Sequence, residues 1–272
     1  MAIHATAIVH PSAEIDPTVE VGPYAIIEAN VTIGSETRLY PHAFVGEFTR
    51  IGSGCELHPF SVTGHIPQDQ KFDGSVSHTS IGDGTTIREG ASIHRAAIPG
   101  STTVVGARCL IMSMSHVGHD CVLGDEVKLA NSALLAGHVE VADRAIVSGM
   151  TGAHQFVRVG ELAILGGGLR VTGDVLPFMM LGPNGVVGPN TVGMRRAGLG
   201  AAERLEMRNC HKMLFRSEFT FTQAIEKIAE EINTEPGRKL VEFLRGPTKR
   251  GFMGFKLKKR YRDHRGDQDE EP

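Results

Sequence analysis

The feature that most constrains this chain is a six-residue period. Of the 29 residues met by stepping in sixes from Ile3 to Val171, 24 are Ile, Leu or Val. The residue two places before each aliphatic is usually small, as at Ala7, Ala13, Ala25, Ala133 and Ala145. One large and one small inward position in every six does not suit an α-helix, whose apolar residues recur near every 3.6. It suits a parallel β-helix, in which three such units close a triangular coil of about 18 residues. Successive coils then stack at about 4.8 Å, the strand spacing of a sheet. The expected fold is all-β plus an α cap: a left-handed parallel β-helix of hexapeptide repeats over residues 1–190, then a C-terminal helical domain over 191–250 and a charged tail over 251–272.

Two interruptions leave the phase intact. Between Leu57 and Ile81 the periodic slots hold Thr63, Asp69 and Ser75, so an insertion loop of about 63–80 must leave the coil and return in register. It carries the polar cluster Pro67-Gln68-Asp69-Gln70-Lys71. A shorter break from Ala96 to Thr103 contains Pro99 and Gly100. Insertions in a solenoid map to loops on one face and often serve binding. Beyond Val171 a Pro- and Gly-marked crossing leads into helical spacing over Ala201–Phe215, Phe221–Ile232 and Arg238–Leu244.

Charge and composition exclude whole classes of function. A formal net charge of -3 gives no global attraction to nucleic acid or anionic membrane. No apolar run approaches the roughly 18 residues of a membrane span, and Met1-Ala2-Ile3-His4 lacks signal-peptide character. A cytoplasmic protein with no nucleic-acid partner and no stable membrane insertion is expected. The basic run between Arg245 and Arg265 reads as a solvated tail. Cys55, Cys109 and Cys121 fall in the small inward slot and Cys210 in a helix, without metal-binding spacing, which makes all four structural.

The chemistry concentrates in Ser115-His116-Val117-Gly118-His119-Asp120-Cys121. Stepping from His119 by the 18-residue coil reaches Gly137 and then Gln155; His138 follows the first and His154 precedes the second. Several histidines therefore stack near one edge. They suit a three-histidine zinc site with an open fourth position. They suit equally a single general base, since imidazole titrates near neutrality, flanked by substrate ligands. Asp120 beside His119 suits a tautomer-holding role, but neighbouring extended residues face opposite ways, so such a contact requires a corner or goes to the main chain instead. Gly137 offers a backbone N–H to a developing oxyanion at low steric cost.

Particular words in this order carry a resemblance: Ala7-Ile-Val-His-Pro-Ser-Ala13, Gln68-Asp69-x-Lys71, Ile93-His94-Arg95, His116-x-x-His119-Asp120-Cys121, Leu135-Ala-Gly-His138-Val139 and His154-Gln155-Phe156. Over residues 1–250 the chain resembles the UDP-N-acetylglucosamine acyltransferase family, which opens lipid A synthesis. The resemblance implies a homotrimer with active sites between subunits, moving a 3-hydroxyacyl chain from acyl carrier protein to the 3-position of the UDP-sugar or a 3-amino analogue, with no metal and no cofactor. It implies His119 as general base with Asp120 beside it and the Gly137 amide as oxyanion donor. Gln68, Asp69, Lys71, His116, His138, His154 and Gln155 become substrate contacts, and Gly167 the position that sets acyl length. In the nucleotide-binding segment Asn190 and Arg196 match the family's pattern, while its carboxylate is Val192 here and its second arginine Ala197. Two other classes compete: a zinc enzyme like γ-type carbonic anhydrase on the same fold, and a non-catalytic relative that binds acyl carrier protein.

Overall fold

The computed structural model describes residues 2–254. The chain winds as a left-handed parallel β-helix whose three faces are sheets of eleven, nine and eight strands. Most strands are two residues long, and partners stand one coil apart, as in Ala2↔Glu20, Ile8↔Ile26 and Glu14↔Thr32. Beyond the open first coil the periodic aliphatics face inward: Ile27, Leu57, Ile93, Val117, Leu135 and Leu165 are 0–1% exposed. Each such side chain contributes roughly 1.5–3 kcal/mol by leaving water. The small slot is equally closed, and Cys55, Cys109 and Cys121 sit in it as free, buried thiols. Burial pushes the Cys121 thiol up to about 12, so it stays an uncharged core group.

Both interruptions lengthen a coil by whole six-residue units. Glu56 pairs with Thr86, and Thr86 pairs with Leu110, so phase survives across each loop. Strands run through Val62–His65 and resume at His78–Ile81, leaving residues 66–77 as the longer loop. The shorter loop lies between Ser92–His94 and Thr102–Val105.

The corners follow a rule that periodic hydrophobicity alone does not disclose. From Tyr24 to Leu162, every non-glycine residue with positive φ falls at a multiple of six in the numbering. A left-handed conformation costs such residues about 1 kcal/mol or more. A bond to the coil below offsets it: His138 N–H donates to the His119 carbonyl (2.9 Å), Arg144 to Asp125 (2.8 Å) and Met150 to Asn131 (3.1 Å).

After the last coil, the strand Met179–Gly182 turns back to pair antiparallel with Gly185–Pro189 and leads into four helices: α1 (Thr191–Arg196), α2 (Ala201–Arg216), α3 (Phe221–Glu231) and α4 (Glu235–Arg245). Thr220 and Thr234 cap α3 and α4 with their hydroxyls. Phe178, Met194, Met207, Ile228 and Leu240 join cap and solenoid in a second apolar core. Buried Asp174 pairs with Arg158, whose guanidinium lies over Phe243, and its backbone bonds Gly251 and Met253. Residues 251–254, assigned to the tail from sequence, thus dock on the last coil; the rest of the basic-then-acidic run lies outside the described residues. None of the described helices is long and apolar enough to cross a membrane.

Candidate active site

His119 and Asp120 occupy the corner between the second and third sheets. Asp120 is the positive-φ residue of that corner (φ 57). The turn removes the alternation of an extended strand, and the two neighbouring side chains meet: His119 Nδ1 lies 2.8 Å from Asp120 Oδ2. The side-chain contact that adjacent extended residues could not make is made here by the corner. Asp120 also accepts from the Ala97 N–H (2.9 Å) on Oδ2 and from the Ser101 hydroxyl (2.7 Å) on Oδ1. Burial would raise its pKa, but the Ser101 hydroxyl, His119 and the Ala97 N–H outweigh it and hold the carboxyl below its ordinary value. An ionised carboxylate can only accept, so His119 Nδ1 carries a hydrogen and, in the neutral ring, the lone pair lies on Nε2.

Gly137 stands one coil above, against that lone pair. A Cβ at position 137 would lie 2.4 Å from His119 Nε2 and 2.5 Å from Cε1. Glycine is required for a reason the sequence does not show, because the imidazole fills the space of a side chain. At a different corner, between the third and first sheets, three N–H groups in this slot are capped by a carboxylate: Ser53 by Asp83, Ala107 by Asp125 and Asp125 by Asp143, at 2.8–2.9 Å. One coil beyond Gly137 the corresponding residue is Gln155, and among the described residues no acceptor takes the Gly137 N–H.

Rings stack along this corner. His119 and His138 meet edge-on with centroids 5.1 Å apart, His138 lies flat on Phe156 at 4.6 Å, and Lys249 Nζ sits 4.0 Å above Phe156. Burial lowers the His138 pKa; Asp120 opposes this, His119 and Lys249 add to it, and Asp69 opposes it from the insertion loop. On the second sheet, His116 Nδ1 lies 2.8 Å from the Ser92 hydroxyl and its ring meets His94 edge-on at 4.8 Å. Burial and then His119 lower the His116 pKa, and burial takes His94 down to about 4. The site is thus lined by neutral imidazoles.

The other sequence-selected residues divide. Asp69 and Lys71 share a tight turn, with the Lys71 N–H on Asp69 Oδ1 (3.0 Å), and Asp69 lies within electrostatic range of His138; Gln68 precedes them, exposed. His154 and Gln155 are exposed on the next coil, where Arg250 Nε donates to the Gln155 carbonyl (2.9 Å). Gly167 belongs to another corner, above Asn131 and Gly149, and only the Gly149 carbonyl (3.3 Å) would touch a Cβ there. Asn190 is 3% exposed; its amide oxygen caps α1 through Gly193 (2.8 Å) and its NH₂ donates to Leu162 O (2.9 Å), so both bonds it makes are structural. Arg196 is exposed in the last turn of α1. Among the described residues three histidines are not brought together; the group whose ligand atoms lie within 4.8 Å of one another is His119, Asp120 and His138. Sequence reasoning missed Ala97, Ser101 and Thr103 around Asp120, although the Ala96–Thr103 break pointed to their segment.

Comparison with known proteins bears on this geometry. A family model described as UDP N-acetylglucosamine O-acyltransferase, domain 2, matches residues 174–253. An acyl-[acyl-carrier-protein]--UDP-N-acetylglucosamine O-acyltransferase of Anaeromyxobacter dehalogenans is 40% identical over 250 residues, covering 90% of this chain and 97% of the relative. Among solved structures, LpxA from Acinetobacter baumannii superposes with a TM-score of 0.88 at 38% identity, covering 93% of this chain and 99% of that one. LpxA from Bacteroides fragilis, a UDP-N-acetylglucosamine acyltransferase, gives 0.89 at 34% identity, with 92% and 99% covered.

Proposed function

The chain belongs to the UDP-N-acetylglucosamine acyltransferase family, and from that premise we propose that it moves a 3-hydroxyacyl chain from acyl carrier protein to the 3-position of UDP-N-acetylglucosamine, the first step of lipid A synthesis. The observation that carries the mechanism is the His119–Asp120 pair beside an uncapped Gly137 N–H. His119 Nε2 takes the proton of the acceptor hydroxyl as its oxygen attacks the carrier-bound thioester carbonyl. Negative charge then develops on the carbonyl oxygen, for which the Gly137 N–H is the free donor. Collapse breaks the C–S bond, and the proton on Nε2 passes to the departing sulfur. Asp120 holds the imidazole in the tautomer this requires and stabilises the imidazolium between the two transfers.

In this reading Asp69, Lys71, His116 and His138 contact the substrates around the base, His154 and Gln155 extend the contact by a coil, and Arg196 serves the nucleotide. Gly167 acts from a neighbouring corner. A homotrimer fits the uncovered apolar side chains of the Gly167 corner and the neighbouring second sheet, where Met114, Leu134 and Met150 are 65%, 49% and 75% exposed. Both substrates place the reaction in the cytoplasm. A zinc enzyme is the weaker reading, because among the described residues the one group close enough to hold a metal contains two histidines, His119 and His138, and not three. A non-catalytic relative would have no use for a free N–H beside an oriented imidazole. Replacing His119 with Ala should lower turnover by about 10²–10⁴ with the fold retained. Near-normal turnover in that variant would remove the general base from the scheme.

A further inference from the structure

We infer that Ser101 is a positioning residue for this reaction: its hydroxyl fixes the Asp120 carboxylate and, through it, the His119 imidazole. The inference rests on the general-base reading above and concerns the short loop after His94.

At many corners the positive-φ residue donates its N–H to a main-chain carbonyl of the coil below, as His138 does to His119, while Tyr24, Asn30 and Glu36 donate to a hydroxyl there. Asp120 cannot, because the coil below it leaves the solenoid between Ser92–His94 and Thr102–Val105. Side chains and one amide of that excursion take over. The Asp120 N–H donates to Thr103 Oγ1 (2.8 Å), the Ala97 N–H donates to Oδ2 (2.9 Å), and Ser101 Oγ lies 2.7 Å from Oδ1.

A serine hydroxyl has one proton, and Ser101 Oγ has two acceptors within reach, Asp120 Oδ1 and the Ile98 carbonyl at 2.8 Å. The Ile98 carbonyl already receives the Ser101 N–H (3.0 Å), and the carboxylate is charged, so the proton belongs to Asp120. Oδ2 is shared by His119 and Ala97, which leaves Ser101 as the side chain that determines where Oδ1 points. Without it Oδ1 has no side-chain donor, the carboxylate is held through Oδ2 alone, and the imidazole it orients is held less firmly.

The experiment is a double-mutant cycle on the full-length enzyme with both substrates varied. Ser101→Ala should reduce kcat about tenfold, leave both KM values within a factor of two and keep the thermal midpoint. Ser101→Thr, which restores the hydroxyl, should recover most of the loss. In an Asp120→Asn background, where no carboxylate remains to be held, Ser101→Ala should have almost no further effect. Unchanged kcat in Ser101→Ala, or the same tenfold loss with Asn at position 120, would overturn the inference. If His119→Ala also keeps its turnover, the failure lies instead with the general-base reading.

Discussion

Gly137→Ala separates the geometry of the site from the stability of the solenoid. The φ of Gly137 lies outside the left-handed region, so alanine is acceptable to the backbone and should gain about 0.4–1 kcal/mol by stiffening the unfolded chain. The new methyl, however, would begin 2.4 Å from His119 Nε2 and 2.5 Å from Cε1. Ordinary contact between such atoms starts near ~3.5 Å, so the imidazole must retreat by about 1 Å. Its Nδ1 is tied to Asp120 at 2.8 Å and its face is closed by His138. It therefore either pivots off the carboxylate or carries Nε2 away from the acceptor. A displacement of about 1 Å is worth roughly 10² in rate. Steady-state kinetics should show kcat down about a hundredfold, while thermal unfolding shows a midpoint at or slightly above that of the parent. Turnover within threefold of the parent would mean that the ring has room to move and that its placement is not the constraint. A large fall in unfolding temperature would mean that the clash spreads into the coil.

Three further outcomes are expected. Gly167→Met should shift donor preference to an acyl chain shorter by several methylenes, at about 0.8 kcal/mol each; competition between donors of different length checks this, and an unmoved preference would detach Gly167 from chain selection. His94 has its pKa lowered from 6.5 to about 4 in the folded protein, so between these values the unfolded chain binds more protons and stability falls as pH drops. The loss should begin near pH 6.5, level off below about 4 and total on the order of 3 kcal/mol. Denaturant unfolding at pH 7 and 4.5 should show a smaller difference in His94→Gln than in the parent, and an equal difference would sink the assignment. Light scattering should give three times 29.2 kDa; a monomer at working concentration would leave the proposed intersubunit site without its second wall.

Fold and site were legible in the sequence to different depths. The solenoid could be read because burial selects one large and one small residue in every six, and that selection repeats along most of the chain. The corner conformation could not, because residues as unlike as Tyr24, Arg108, Asp120 and Phe156 adopt it; the demand falls on the stacked backbone and hardly on the side chain. For the same reason the His119–Asp120 contact was beyond a strand-based reading. Asn190 shows how a matching letter can carry a structural role. A matching letter in a motif suggested a ligand, whereas the local sequence Asn190-Thr-Val-Gly193 is an ordinary helix start and the structure uses it so. Gly137 was chosen for its amide, and the structure adds that a neighbouring coil's imidazole excludes any side chain there.

The two departures from periodicity explain why a uniform scaffold holds a single site. A solenoid repeats its corners, so any corner is as good as the next until something breaks the repeat. Here the breaks add whole multiples of six residues, which keeps every later aliphatic inward and confines the disturbance to the loops themselves. The longer loop brings Asp69 within range of His138. The shorter one removes the carbonyl that would normally receive the Asp120 N–H and puts Ala97, Ser101 and Thr103 in its place. Asp120 thereby gains a fixed, ionised carboxylate with donors on both of its oxygens. A deletion of six residues from the shorter loop should then leave the coils stacked and in phase while abolishing turnover. If that shortened protein keeps both its fold and its activity, the loop is not what distinguishes this corner from the others.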